Sequence, residues 1–329
     1  MSLNEQSHLL RGIFQSPHPL EDSIPNSQKP YLLYLLHYYE EIPESKKKVI
    51  EKIIKKLEKI TQNLLPLYKL GFEMSVSVIG GSIRDILLNK ENNITDLDIL
   101  ISMEKLKVEK TFETCPYVKY KEILGPEILN YLNLGESSNI KFASLVKYCL
   151  EKDNVINEYT VLASKEPSRY GSRDINEHLQ CLMKIKKESE DDYPMDIMIS
   201  HASAQQYVER TVDFNICKAY LKFIDMKKLS SIPIDSYSFF DNVVVGRDFL
   251  TDAQKKEITL DMTRFNENQI TFFMDNHYPK IEKKYNDYNL NLLAGSRPSL
   301  LQLKEVYERK ARLDKTLDIK DKSGSKYKL

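Results

Sequence analysis

Apolar positions along this chain follow two periods, and the switch between them marks its elements. After Ser45, the run KKKVIEKIIKKLEKI sets Ile50, Ile53, Ile54, Leu57 and Ile60 at helical spacing with lysines on the other side. The spacing predicts an amphipathic helix capped by Ser45, whose lysines form a solvated face rather than an RNA surface. A further helix follows, punctuated by Gly71. Residues 75–79, SVSVI, alternate and are β-branched, which predicts a strand. Gly80 and Gly81 interrupt it, and apolar residues at 83, 86 and 87 return to helical spacing. DLDILIS, from Asp96, returns to the strand pattern. The unit is therefore strand, double-glycine turn, helix, strand.

Elsewhere the pattern is plainer. Residues 1–30 are polar with four prolines and read as an irregular arm, and 31–40, YLLYLLHYYE, as a buried helix. Residues 103–155 read as mixed and helical, including LVKYCLEK. HLQCLMKIK (178–186) and PMDIMIS (194–200) read as two strands joined as a hairpin through ESEDDY. Residues 206–223 read as helical, 224–250 as short irregular pieces, and 252–262, 267–285 and 298–314 as helices. No internal repeat is present.

The expected fold class is α+β: a small mixed sheet with flanking helices, preceded and followed by helical regions. The expected organisation is a polar arm and N-terminal helices over 1–60 and a head over 61–225 with inserted helices at about 103–170. A helical C-terminal region over 226–318 and a disordered basic tail over 319–329 complete it.

Composition narrows the function classes. In 329 residues, 41% are hydrophobic and 29% charged, as in an ordinary globular protein. Lys+Arg and Asp+Glu are both 48, so no global basic field points to nucleic acid. The four cysteines are far apart with no CxxC pair, which reads as buried thiols in a reducing compartment rather than a zinc site. The start MSLNEQSHLL lacks a signal-peptide pattern and no apolar run approaches the ~20 residues of a membrane span. The expected place is the cytoplasm. Composition does not set an oligomeric state.

The candidate chemistry lies at 80–98 and 196. A strand turning directly into a helix exposes amide N–H groups that favour anions, and glycines let a phosphate approach. Ser82 adds a hydroxyl; neither a Walker loop nor GxGxxG is present. On a strand, Asp96 and Asp98 point to the same side. Two carboxylates so close call for a cation between them, and Mg²⁺, with Mn²⁺ as its substitute, suits oxygen ligands and phosphate. Asp196, flanked by Met195 and Ile197, would supply a third carboxylate. Such a site clamps the attacking and leaving oxygens of a phosphoryl displacement.

GGSIRDILL…DLDILI resembles the head of class II nucleotidyltransferases, the family of tRNA nucleotidyltransferases and bacterial poly(A) polymerases. LPLYKLGFEMSVSVIGG resembles the opening of that head, and PMDIMIS its later acidic strand. TVDFNIC, from Thr211 to Cys217, resembles the helix that follows, with Thr211 and Val212 in place of the family's paired arginines and Arg210 one position earlier. The resemblance implies that Asp96, Asp98 and Asp196 hold the catalytic metals. It implies that Gly80, Gly81, Ser82 and Arg84 line a triphosphate and that Asp85 braces the turn. Arg210 and Asp213 would sit near the incoming nucleotide. The implied activity is transfer of a nucleotide from an NTP, ATP first, to a hydroxyl with release of pyrophosphate. An RNA 3′ end is the first acceptor. Transfer to a protein or small molecule is the second reading, and a non-catalytic nucleotide- or partner-binding protein the third. His201 and the run from His277 to Tyr285 read as a loop histidine and as a helix end with snorkelling lysines; stacking on single-stranded RNA is the alternative for the latter.

Overall fold

The computed structural model describes residues 44–132, 136–152, 159–163, 179–185, 192–212, 214–225, 243–262, 273 and 277–292. The arm, the helix expected at 31–40, that at 298–314 and the basic tail lie outside them.

Helix α1 (Glu44–Lys69) merges the two helices expected before Gly71 into one. Pro66 lies inside it, which removes one backbone hydrogen bond and costs about 3 kcal/mol in an isolated helix. Leu64 and Leu67 on either side are fully buried, each contributing roughly 1.5–3 kcal/mol, and hold the helix through the proline. Strand β1 (Ser75–Ile79), helix α2 (Gly81–Leu87) and strand β2 (Leu97–Ser102) follow as the alternation predicts. Helices α3 (Lys105–Thr114), α4 (Tyr117–Leu124) and α5 (Ser138–Lys152) come next. Strand β3 (Tyr159–Ala163) lies within the segment of inserted helices expected at about 103–170. The expected hairpin is β4 (Leu179–Ile185) with β5 (Met195–Ser200), paired antiparallel.

Two helical expectations fail. Helix α6 (Ala204–Thr211) stops early, and the rest of 206–223 becomes a 3-10 turn at Asn215–Cys217 and strand β6 (Ala219–Asp225). The apolar run AYLKFID joins the sheet because β1 offers it a free edge. The helix expected at 252–262 is α7 (Arg247–Lys255), ended by Lys256 at φ 52°, then β8 (Glu257–Leu260). Strand β7 (Val243–Val245) precedes them, and α8 (Tyr278–Lys284) and β9 (Asn289–Leu292) follow. Among the described residues after 225, strands and helices are both present.

The architecture is α+β. A seven-stranded sheet has the order β3-β4-β5-β2-β1-β6-β7, larger than the small sheet expected. Only the β2–β5 pair is parallel within it. β8 and β9 form a separate parallel pair.

Alternation gives the sheet two different faces. Val76, Val78, Leu97, Ile99, Ile101, Ile197 and Ile199 join the main core with α1, α2 and α5. The opposite face is covered in its middle by α6, where Tyr207 and Val208 sit on Ile79, Leu100, Met198 and Tyr220. A capping box between Ser203 and Gln206 starts that helix. Beyond α6 this face carries Asp98 and Asp196 at one end. Among the described residues, no helix is long and apolar enough to cross a membrane, and Cys115, Cys149 and Cys217 are buried and in no disulfide.

Candidate active site

β2 and β5 run parallel in a register that sets Asp98 beside Asp196. Adjacent strands lie about 4.8 Å apart, so two carboxylates leave the same face side by side. Both residues are half-buried. Ile99 and Ile197, their neighbours in sequence, point into the main core and fix that orientation.

The glycine turn closes on the same point. Ile79, the last residue of β1, pairs with Asp98. The chain then takes φ 74° at Gly80, in the left-handed region that glycine enters without steric cost. A Cβ at Gly80 would stand 3.1 Å from Asp98 Oδ2, so the missing side chain is the space the carboxylate occupies. The Gly80 N–H donates to the Ala219 carbonyl at 3.3 Å, which ties the turn to β6.

Asp96 precedes the first residue of β2 and is exposed. Its carboxylate accepts a hydrogen bond from Thr95 Oγ1 at 3.0 Å. Among the described residues no three His, Cys, Asp or Glu side chains stand close enough to form a metal-binding group. The structure thus brings Asp98 and Asp196 together and leaves Asp96 exposed just before β2.

The nucleotide-lining residues divide. Gly80 and Gly81 form the turn. Ser82 is buried and its hydroxyl has no hydrogen-bond partner among the described residues. Arg84, expected on the triphosphate, is 4% exposed and turned inward. Its Nε donates to Asp85 Oδ1 at 2.8 Å and its Nη1 to Cys217 Sγ at 2.7 Å. The guanidinium lies 4.8 Å from the Tyr285 ring centroid. A Cβ at Gly81 would meet Arg84 Nη2 at 3.2 Å, so Gly81 admits the guanidinium under the turn. Burial alone would lower the Arg84 pKa, but Cys217, Tyr285 and Asp85 outweigh it, so the group is held above its ordinary value and stays charged. Arg210 is exposed at the end of α6, and Asp213 lies outside the described residues.

Asp85 is 1% exposed and is the centre of a buried polar knot. Besides Arg84 it accepts a hydrogen bond from the Tyr285 hydroxyl. Burial raises the Tyr285 pKa against the pull of Arg84, with Asp85 adding to the rise, so the phenol remains a donor. Sequence reasoning assigned the run from His277 to Tyr285 to snorkelling lysines or RNA stacking. The structure instead turns Tyr285 inward and buries it. Its aromatic character was visible; its partner 200 residues away was not.

His201 follows the far end of β5, where Nδ1 lies 3.3 Å from the Met103 carbonyl oxygen. There it lines a cavity of about 810 Å³ with Ser77, Ser102, Tyr220 and Lys222; Asp96, Asp98, Asp196 and Gly80 are not in its wall.

No family model matches the sequence. No curated protein matches it. Among the solved structures that match is a CCA-adding enzyme in its apo form I, at 11% identity and TM-score 0.36, over 81% of this chain and 45% of that one. This chain thus spans less than half the length of that structure. A likeness so slight says nothing of activity.

A hard divalent cation suits the donor set at Asp98 and Asp196. Mg²⁺ commonly takes one or two carboxylates and leaves its other positions to water and phosphate. Asp98 and Asp196 are two such carboxylates, side by side on neighbouring strands.

Proposed function

We propose that this protein transfers a nucleotide from an NTP to a hydroxyl group, releasing pyrophosphate. The observation that carries this reading is the side-chain-free turn at Gly80 closed against Asp98, with Asp98 in register with Asp196. Asp98 and Asp196 would hold Mg²⁺ or Mn²⁺, with Asp96 the exposed carboxylate two residues before Asp98. When bound, the cation polarises the acceptor hydroxyl and neutralises charge on the transferred and leaving phosphates. Gly80 and Gly81 keep side chains out of the approach, so backbone amides meet the triphosphate. The Arg84 guanidinium supports the turn from beneath. An RNA 3′ end is the acceptor we propose first and ATP the first donor.

The test offers each labelled NTP with Mg²⁺ to total RNA and, in parallel, to total protein. Label should enter RNA and fall at least about a hundredfold in Asp98→Ala, the loss expected when several kcal/mol of charge stabilisation go. Label entering protein instead would keep the chemistry and overturn the RNA acceptor. No label in either, together with no Mn²⁺ binding, would overturn the enzyme.

A further inference from the structure

We propose that Tyr285, with Lys284, is a positioning residue of the acidic site: together they clamp the turn and the loop that hold Asp98 and Asp96, resting on the nucleotidyl-transfer reading above. Two contact chains lead from this pair to the carboxylates.

The first runs beneath the glycine turn. The Tyr285 hydroxyl donates to Asp85, and its ring covers the Arg84 guanidinium at 4.8 Å. Asp85 and Cys217 fix Arg84 through Nε and Nη1. Nη2 then lies against Gly81, 3.2 Å from where a Cβ would be, and Gly80 lies against Asp98 Oδ2. Each contact in this chain is between buried groups or across a missing side chain, so a shift at Tyr285 has little slack to absorb it.

The second runs along the loop between α2 and β2. Lys284 Nζ donates to the Asn93 carbonyl at 2.9 Å, three residues before Asp96, and lies 3.9 Å from Asp85 Oδ2. From the other side, Lys90 Nζ donates to Asp287 at 2.6 Å and to the Lys284 carbonyl at 3.4 Å. It also stands over the rings of Tyr285 and Tyr288, at 4.6 and 5.0 Å. The Lys90 N–H donates to the Asp85 carbonyl at 2.7 Å. The loop that delivers Asp96 is thus tied to residues 284–288 at Lys90 and at Asn93. Tyr285 and Lys284 act through Arg84, Asp85 and Asn93.

The experiment uses the full chain with Tyr285→Phe, which keeps the ring over Arg84 and Lys90 and removes only the hydroxyl. Hydrogen exchange over residues 80–98 should quicken about tenfold, the cost of one buried hydrogen bond. Exchange in β5 and β6 should stay unchanged. The Mn²⁺ dissociation constant should rise about tenfold, as for loss of a group supporting a metal ligand. Saturating Mn²⁺ should restore activity to Tyr285→Phe but not to Asp98→Ala. Lys284→Met keeps the aliphatic stem and should quicken exchange over 91–98 alone; it decides the matter if Tyr285→Phe does not fold. Unchanged exchange and Mn²⁺ binding in both variants would overturn the clamp. A wild-type chain that binds no Mn²⁺ would overturn the nucleotidyl-transfer reading. Exchange over 80–98 would still decide the clamp.

Discussion

Gly80 is the residue on which the site turns, for two separable reasons. At φ 74° and ψ −139°, a region entered essentially by glycine alone, an L-residue is strained by about 1–3 kcal/mol. The absent Cβ also leaves room for Asp98 Oδ2, 3.1 Å from that position. Gly80→Ala should therefore lower unfolding stability by roughly 1–3 kcal/mol from backbone strain alone, with an added term from the carboxylate. In an Asp98→Ala background the strain persists and the contact is gone. Urea unfolding of the four chains should give a coupling of at least about 0.5 kcal/mol. An equal cost in both backgrounds would mean that the carboxylate does not press on the turn. Ser82 and Arg84 show a second lesson at this scale. Both have the chemistry to bind phosphate, yet both are buried, and Arg84 spends its N–H groups on Asp85 and Cys217. Residue type told what the groups could bind; only packing told which way they face.

At the scale of elements, α8 is the piece whose hold depends on pH. His277 immediately precedes it, stacked on Phe273 with ring centroids 5.8 Å apart. Burial first, and Lys280 second, lower its pKa below the ordinary 6.5. A depressed histidine binds its proton less well folded than unfolded, so its contribution to stability is full above about pH 6.5 and is lost as pH falls through the folded value. Lowering the pH from about 7.5 to about 5.5 should therefore depress the melting temperature of the wild-type chain more than that of His277→Phe, which keeps a ring. Parallel curves for the two would remove His277 from the account. The elements themselves were unevenly legible. β1, α2, β2 and the β4–β5 hairpin followed from alternation and a double glycine, because each is short, local and bounded by turn residues. The helical pattern of α6 extends into β6 in sequence because the 3-10 turn at Asn215–Cys217 between them has no periodicity of its own. β8 was hidden by AQKKEITL, a run that suits a helix until Lys256 turns left-handed. Asp98 and Asp196 were legible as strand acids, but their register depends on parallel pairing of strands about a hundred residues apart.

For the whole molecule, the sequence suggested that a head ends near 225 and a separate helical region begins. The described residues on either side of 225 pack together. β7 extends the main sheet beyond β6, and Phe214 bridges to Leu260 in β8. Phe249, Leu250, Ile258, Leu260, Phe273 and Tyr285 are buried in the same core as α1 and β1. At roughly 1.5–3 kcal/mol for each such side chain, their burial rivals the whole net stability of a typical domain, about 5–15 kcal/mol. A chain ended at 225 would also leave Asp85 without the Tyr285 hydroxyl and β6 with an open edge. Such a chain should fail to reach a cooperative folded state. The full chain should unfold with β1, β7 and α8 losing exchange protection at one urea concentration. A 1–225 fragment with a wild-type melting transition would show that the head folds alone and that the later segments only decorate it. The expected failure would instead make the residues that frame Asp98 and those that follow 242 one folding unit, in which the candidate site exists only when both ends of the chain are in place.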